Sequence, residues 1–206
     1  MTVHKRRITF AAAAAAIALG LSACGGDEEP ATEGSGGEQE ASQAGPKPEP
    51  IAQEDLTPPG TELAVGETAV LPFPDAPEPG GVVGVTVTAI EQGDPADIAS
   101  FEDSEGLVPY YLRVKVENLS GTDLSFAQIG MRALTADGES TGAFATSGSV
   151  VEGKCESQDA PPDFTSAGAT FETCVLDAAE EGVEVTKAEF GNLPDYAEAP
   201  IIWTAR

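Results

Sequence analysis

The stretch LVPYYLRVKVEN, Leu107–Asn118, sets the strongest limit on what this chain can fold into. Tyr110, Leu112, Val114 and Val116 alternate with Tyr111, Arg113, Lys115 and Glu117. A period of two puts the first set on one face of a strand, against a core, and the second on the other face, in water. Similar short apolar runs recur along the chain, separated by Gly, Pro, Asp and Asn. Glu62–Leu71, Val82–Glu91, Leu124–Ala136, Ser140–Ser147, Ala169–Asp177, Val183–Gly191 and Pro200–Ala205 read as strands, with Val150-Val151 as a shorter piece. Asp137-Gly138 is a hairpin signal. Beyond the first residues no run of ten or more follows the helical period, although Ala178–Glu181 allows one helical turn. Seven to nine strands with regular turns predict an all-β fold, an antiparallel β-sandwich over residues 61–206. A domain of that size buries about two-thirds of its unfolded surface, enough for one core. Trp203 and Phe171 are most simply core residues.

The chain opens differently. His4, Lys5, Arg6 and Arg7 form a positive cluster, and residues 8–21 are apolar and uncharged. These are the charged and apolar regions of an export signal, too short for a spanning helix of about 20 apolar residues. The segment ends in Leu21-Ser22-Ala23-Cys24, which resembles the bacterial lipobox. There the cysteine thiol is acylated and the preceding peptide bond is cut. Small side chains admit the backbone to the peptidase, and only a thiol forms the thioether. The expected product is a mature chain from Cys24 to Arg206, tied to the cell membrane by lipid and facing away from the cytoplasm. Arg6-Arg7 raises twin-arginine export, but Ile8-Thr9-Phe10 fits that motif poorly, and the export route stays open.

Residues 24–60 are rich in Gly, Pro, Glu, Ser and Gln and almost free of large apolar side chains. Such a segment cannot bury enough surface to offset its ordering entropy, so it is expected to be a disordered tether. A flexible coil of that length has a root-mean-square reach of about 33 Å, which charge and proline extend. The formal net charge is −25. A polyanion is repelled by nucleic acid and by anionic headgroups, so nucleic-acid binding is excluded.

Cys155 and Cys174 remain after Cys24 goes to lipid. In an exported protein the economical reading is a disulfide between them, worth about 3 kcal/mol for a loop of about 20 residues. Two free thiols or a metal pair is the alternative, but the spacing fits no zinc pattern. Cleavage before Cys24 also discards His4, the single histidine. Serine and cysteine triads and histidine-based metal sites then lack a residue they need. No cofactor is implied.

Residues from about Val65 to Trp203 resemble the telokin-like, immunoglobulin-like domain of unknown function found on secreted bacterial lipoproteins. The resemblance rests on Val65-Gly66-Glu67 and Val85-Thr86-Val87 as opening strands. Tyr111–Ser120 looks like the central strand ending in an Asn turn, and Asp137-Gly138 like the next hairpin. Ala167–Phe171 looks like the step into a late strand, and Trp203 matches a terminal tryptophan. A Cys155–Cys174 pair is similar to one seen in one branch. The resemblance implies an immunoglobulin-like sandwich and an envelope location, with no catalytic residues.

Three functions are weighed. The first is a non-catalytic module that binds a protein, peptide or envelope polymer through the long loops Gln92–Gly106 and Gly153–Gly168. The second is a calcium module using Asp94, Asp97, Glu102, Asp103 and Glu105, clustered hard ligands whose spacing matches no EF-hand. The third is a two-carboxylate glycoside hydrolase, for which no acidic pair stands out. Asn118-Leu119-Ser120 is nominally a glycosylation sequon, better explained as a turn. Arg113 and Lys115, rare cations on one strand face, are expected to pair with carboxylates on neighbouring strands.

Overall fold

A computed structural model describes residues 51, 55–73, 80–141, 143–145 and 150–206, with the backbone alone at 143–145. Cys24, the signal segment 1–23 and the tether as far as residue 50 lie outside the described residues. The strands are β1 (Glu62–Ala64), β2 (Thr68–Phe73), β3 (Gly81–Gln92), β4 (Leu107–Asn118), β5 (Arg132–Thr135), β6 (Ala143–Ala145), β7 (Val150–Val151), β8 (Cys155–Glu156), β9 (Thr170–Glu180), β10 (Val185–Phe190) and β11 (Ile201–Thr204). One sheet has the order β2-β3-β4-β9-β6 and the other β1-β11-β10-β5, while β7 and β8 form a separate hairpin. Only β1 and β11 pair in parallel among these strands. The two sheets enclose one core, in which Val85, Leu112, Val114, Ala188, Ile201 and Trp203 are buried. The fold is the expected all-β, immunoglobulin-like sandwich.

The strand count exceeds the expected seven to nine because paired segments are short and one expected strand divides. Glu62–Leu71 breaks at Gly66, sending β1 to one sheet and β2 to the other. Gly66 takes φ 97°, a conformation that glycine adopts without strain. The fully buried indole of Trp203 donates from Nε1 to the Glu67 carbonyl at 2.9 Å and fixes the corner. Residues 55–60, read from composition as tether, are pinned to the sandwich. Thr57 N donates to the Val70 carbonyl at 2.8 Å, Val70 N donates to Thr57 Oγ1 at 2.8 Å, and Tyr196 Oη donates to the Thr57 carbonyl at 2.9 Å.

Two local expectations are corrected. Leu124–Ala136 is strand only over β5, because the segment before it bonds to the loop ahead of β9. Leu124 N donates to the Phe164 carbonyl at 3.1 Å and Phe126 N to the Ala160 carbonyl at 2.9 Å. The helical turn that Ala178–Glu181 allows is not formed, since β9 runs on to Glu180 against β4. The one α-helix among the described residues is the short Pro194–Ala197. Asn118 ends β4 as the turn reading expects. Fully buried, it donates from Nδ2 to the Thr122 and Phe164 carbonyls and accepts at Oδ1 from Gly121 N at 2.8 Å.

Asp177 joins the two sheets. It is 2% exposed, on the core side of β9. Oδ2 accepts from Ala133 N on β5 at 2.8 Å, and Oδ1 accepts from Thr141 Oγ1 at 3.0 Å and from Ala178 N at 2.8 Å. The carboxylate thus satisfies the edge amide of a strand in the opposite sheet, whose exclusion from water would otherwise be costly. Burial raises its pKa from 3.8 to about 6, against the pull of these donors and of Arg132. The folded state therefore holds a proton there more tightly than the unfolded chain. That stabilisation is complete below about pH 4 and is lost as pH rises through about 6, a difference of up to about 3 kcal/mol at about 1.4 kcal/mol per pH unit. Asp97 and Asp123, whose pKa values are lowered, act in the opposite sense below about pH 4. In urea unfolding from about pH 4 to 7, Asp177→Asn is expected to match the parent within about 1 kcal/mol at the acid end, because the amide, like the protonated carboxyl, offers one carbonyl acceptor and one donor. It is also expected to lose the falling slope of the parent chain. Parallel pH profiles for the two chains would contradict this assignment.

Candidate functional site

Tyr111 and its neighbours on β9 build the site. Cys174, Leu176 and Ala178 lie on the outer face of the five-stranded sheet, beside Tyr111 in register. Together with Ile98, Val151 and Cys155 they make a second buried cluster outside the sandwich core. Alternation alone places Tyr111 on the wet face, but the structure leaves it 4% exposed. The reason is the apolar patch that these side chains form, which the two long loops cover. The approach is close. A Cβ at Gly93 would meet the Tyr111 hydroxyl at 2.5 Å, so the loop can pass only with glycine there.

Both loops are fastened. The Cys155–Cys174 disulfide, with Cα atoms 5.2 Å apart, ties the β7–β8 hairpin to β9. Asp97 links the other loop to both. Its Oδ2 accepts from the Tyr111 hydroxyl at 2.6 Å, and its Oδ1 accepts from Lys154 Nζ at 2.6 Å. Asp94 Oδ1 accepts from Ala96 N at 2.9 Å and caps the 3-10 turn Pro95–Asp97, while Asp94 N donates to Asp97 Oδ2 at 3.2 Å. The Lys154 ammonium, then the Tyr111 hydroxyl, hold the Asp97 carboxyl below its ordinary pKa. Burial, reinforced by Asp97, pushes the Tyr111 hydroxyl above its ordinary value. The pair is thus a carboxylate bridging a cation and a neutral phenol at neutral pH.

Arg113 extends this chain of contacts. Its Nε donates to Glu91 Oε2 on β3 at 3.0 Å, the cross-strand pairing expected, and its guanidinium carbon stands 5.7 Å from the Tyr111 ring centroid. A bulge in β3 leaves Thr88 without a β4 partner, and its Oγ1 donates to the Arg113 carbonyl at 3.2 Å. Between the hairpin and the sheet lies a groove of about 470 Å3, lined by Thr88, Arg113, Lys154, Glu156, Gln158 and Glu172 among others. Each of its cations is engaged by a carboxylate, Arg113 by Glu91 and Lys154 by Asp97. Such groups hold a polar, charged ligand by hydrogen bonds without having to be ordered first.

The residues weighed for calcium are not gathered in one place. Asp97 is engaged at both oxygens and Asp94 caps the turn, while Glu102, Asp103 and Glu105 are exposed. Among the described residues no three His, Cys, Asp or Glu side chains come together in a way that could hold a metal. Lys115 is exposed and faces Glu172 across the ladder. Lys154 and the Thr88 bulge were missed from sequence. Lys154 carried one signal, a cation directly before a cysteine in an acidic domain. Among the described residues no helix is long and apolar enough to cross a membrane.

No protein-family model matches the chain, and no curated protein matches it. Among solved structures it is similar to MPT63, a secreted protein from Mycobacterium tuberculosis. The two share 14% identity with a TM-score of 0.46, over 72% of this chain and 98% of that one. That likeness leaves the function to be read from the chain's own residues.

The fastening yields a stability prediction. Cys155→Ala with Cys174→Ala is expected to lower the unfolding free energy by about 3 kcal/mol while far-ultraviolet circular dichroism stays that of a β-sandwich, since the main core lies elsewhere. A double variant that is fully unfolded, or as stable as the parent, would refute the division into two clusters.

Proposed function

We propose that the chain is an exported lipoprotein, anchored through Cys24, whose sandwich is a non-catalytic binding module for a protein, peptide or envelope component. The groove over the outer face of the five-stranded sheet carries the reading. There Arg113 and Lys154, two of the few cations of a strongly acidic chain, are held at fixed positions beside hydrogen-bonding side chains. The order of the chain supports it as well. A signal ending in Leu21-Ser22-Ala23-Cys24, a polar tether ahead of the residues pinned from Thr57 onward, and then a compact domain suit a module held clear of a membrane. The lost histidine and the bridged cysteines fit binding better than nucleophilic chemistry.

The anchor and the groove are tested separately. With a clickable fatty acid supplied to producing cells, the parent chain is expected to label and Cys24→Ala to lose the label entirely. Label retained on Cys24→Ala would overturn the anchor. In co-purification from native membranes, Arg113→Ala with Lys154→Ala is expected to lower recovery of the bound component by about tenfold or more. Undiminished recovery would overturn the groove as the binding site.

A further inference from the structure

Phe126 is out of place by two independent measures. It is 65% exposed, more than Val150, the other exposed large apolar residue among the described residues. It also takes φ 63°, in the left-handed region that glycine and asparagine accept and a bulky aromatic does not. The fold needs no aromatic side chain on this backbone, since the ring fills no core position. A small or polar residue would satisfy the same backbone with less strain and less apolar surface in water.

The loop that presents the ring is nevertheless held firmly. Phe126 N donates to the Ala160 carbonyl at 2.9 Å, Ala160 N donates to the Ala127 carbonyl at 2.9 Å, and Ala127 N to the Leu124 carbonyl at 3.1 Å. Asp123 Oδ1 accepts from Ser125 N at 3.0 Å and Ser125 Oγ at 2.7 Å. Leu124 and Ala127, on either side, are buried. The backbone that carries the ring is therefore held in place before any partner arrives, which lowers the ordering cost of association. Aromatic anchors of this kind dominate binding when they enter a desolvated pocket.

The surroundings say what that pocket must look like. Asp123 lies on the same loop, and Asp159 and Asp163 flank the segment that the loop is bonded to; all three are exposed. A second copy of this chain would set these carboxylates against their own kind, and an anionic membrane surface would repel them. We propose that Phe126 is the anchor of a protein–protein interface, and that the partner is a protein with an apolar pocket rimmed by Lys and Arg. This rests on the reading that the domain is a binding module and names the partner's chemistry.

Two measurements on the full-length, membrane-anchored chain test it. In the first, Phe126→Asn is expected to melt at the same temperature as the parent or higher, because the substitution relieves the backbone and removes exposed apolar surface. A melting temperature lower by several degrees would show that the ring serves the fold and would overturn the proposal. In the second, a photo-crosslinking phenylalanine analogue stands at position 126, with Val150 as the exposed control position. The expected result is one discrete adduct at 126 and not at 150. Its yield should fall about tenfold or more when Asp123, Asp159 and Asp163 are changed together to Asn, and mass spectrometry should place the crosslink in an apolar site flanked by Lys or Arg. Adducts with lipid, with a second copy, or with a protein irrespective of the three carboxylates overturn it. A component that co-purifies equally with the parent and Phe126→Asn chains overturns this surface but leaves the binding reading intact. Failure of both chains to recover any component overturns both.

Discussion

Strand β4 is buried on both faces along its first half, and the rest of the domain is arranged to satisfy that condition. Its inner side chains, Tyr110, Leu112, Val114 and Val116, complete the sandwich core. Its outer side chain Tyr111 belongs to a second cluster with Leu176 and Ala178 of β9. A sheet that is apolar on one face needs one covering layer; one that is apolar on both needs two. The opposite sheet supplies the first. The second comes from a loop and the two-residue strands of the β7–β8 hairpin, which have few repeating hydrogen bonds of their own and must be tied down residue by residue. The disulfide, the Asp97 bridge and the close pass at Gly93 do this.

That cover also shapes the groove proposed as the recognition surface. Because Lys154 and Arg113 are engaged by Asp97 and Glu91 at the rim of the cluster, their charges are fixed in direction without being withdrawn from the surface. Surface ion pairs of this sort add little to stability, about 0–1 kcal/mol at the median. Their consequence lies in geometry, since they decide what the groove presents. The same logic runs through Asp177, where a carboxylate serves an amide of the other sheet at the cost of its own desolvation.

How much of this could be read in advance differs by element. The alternation in Leu107–Asn118, the Asp137-Gly138 hairpin and the pair Cys155 and Cys174 were legible, because local spacing and compartment carry those signals. The sheet change at Gly66 was not, since one apolar run can serve two sheets and only the Trp203 hydrogen bond marks the corner. The burial of Tyr111 was not, because a period of two distinguishes faces and says nothing of what a distant loop covers. Asp177 stood at the end of an expected strand and looked like a boundary, although an acid followed by Ala178 and Ala179 in an apolar run hints at burial. Of the site, Arg113 and the loops were foreseen. Lys154 was not, since its role depends on Asp97 far away in the chain.

The central claim is that the two long loops form one rigid cover over Tyr111. Amide hydrogen exchange on the oxidised protein tests it most directly. The amides of Asp97, Ile98, Phe101 and Lys154, each bonded within the loops, are expected to exchange at least about a hundredfold more slowly than in an unstructured peptide. They should also slow together with Cys174 on β9, as one opening unit. Exchange of these loop amides at the rate of free peptide, with β9 still protected, would contradict the account.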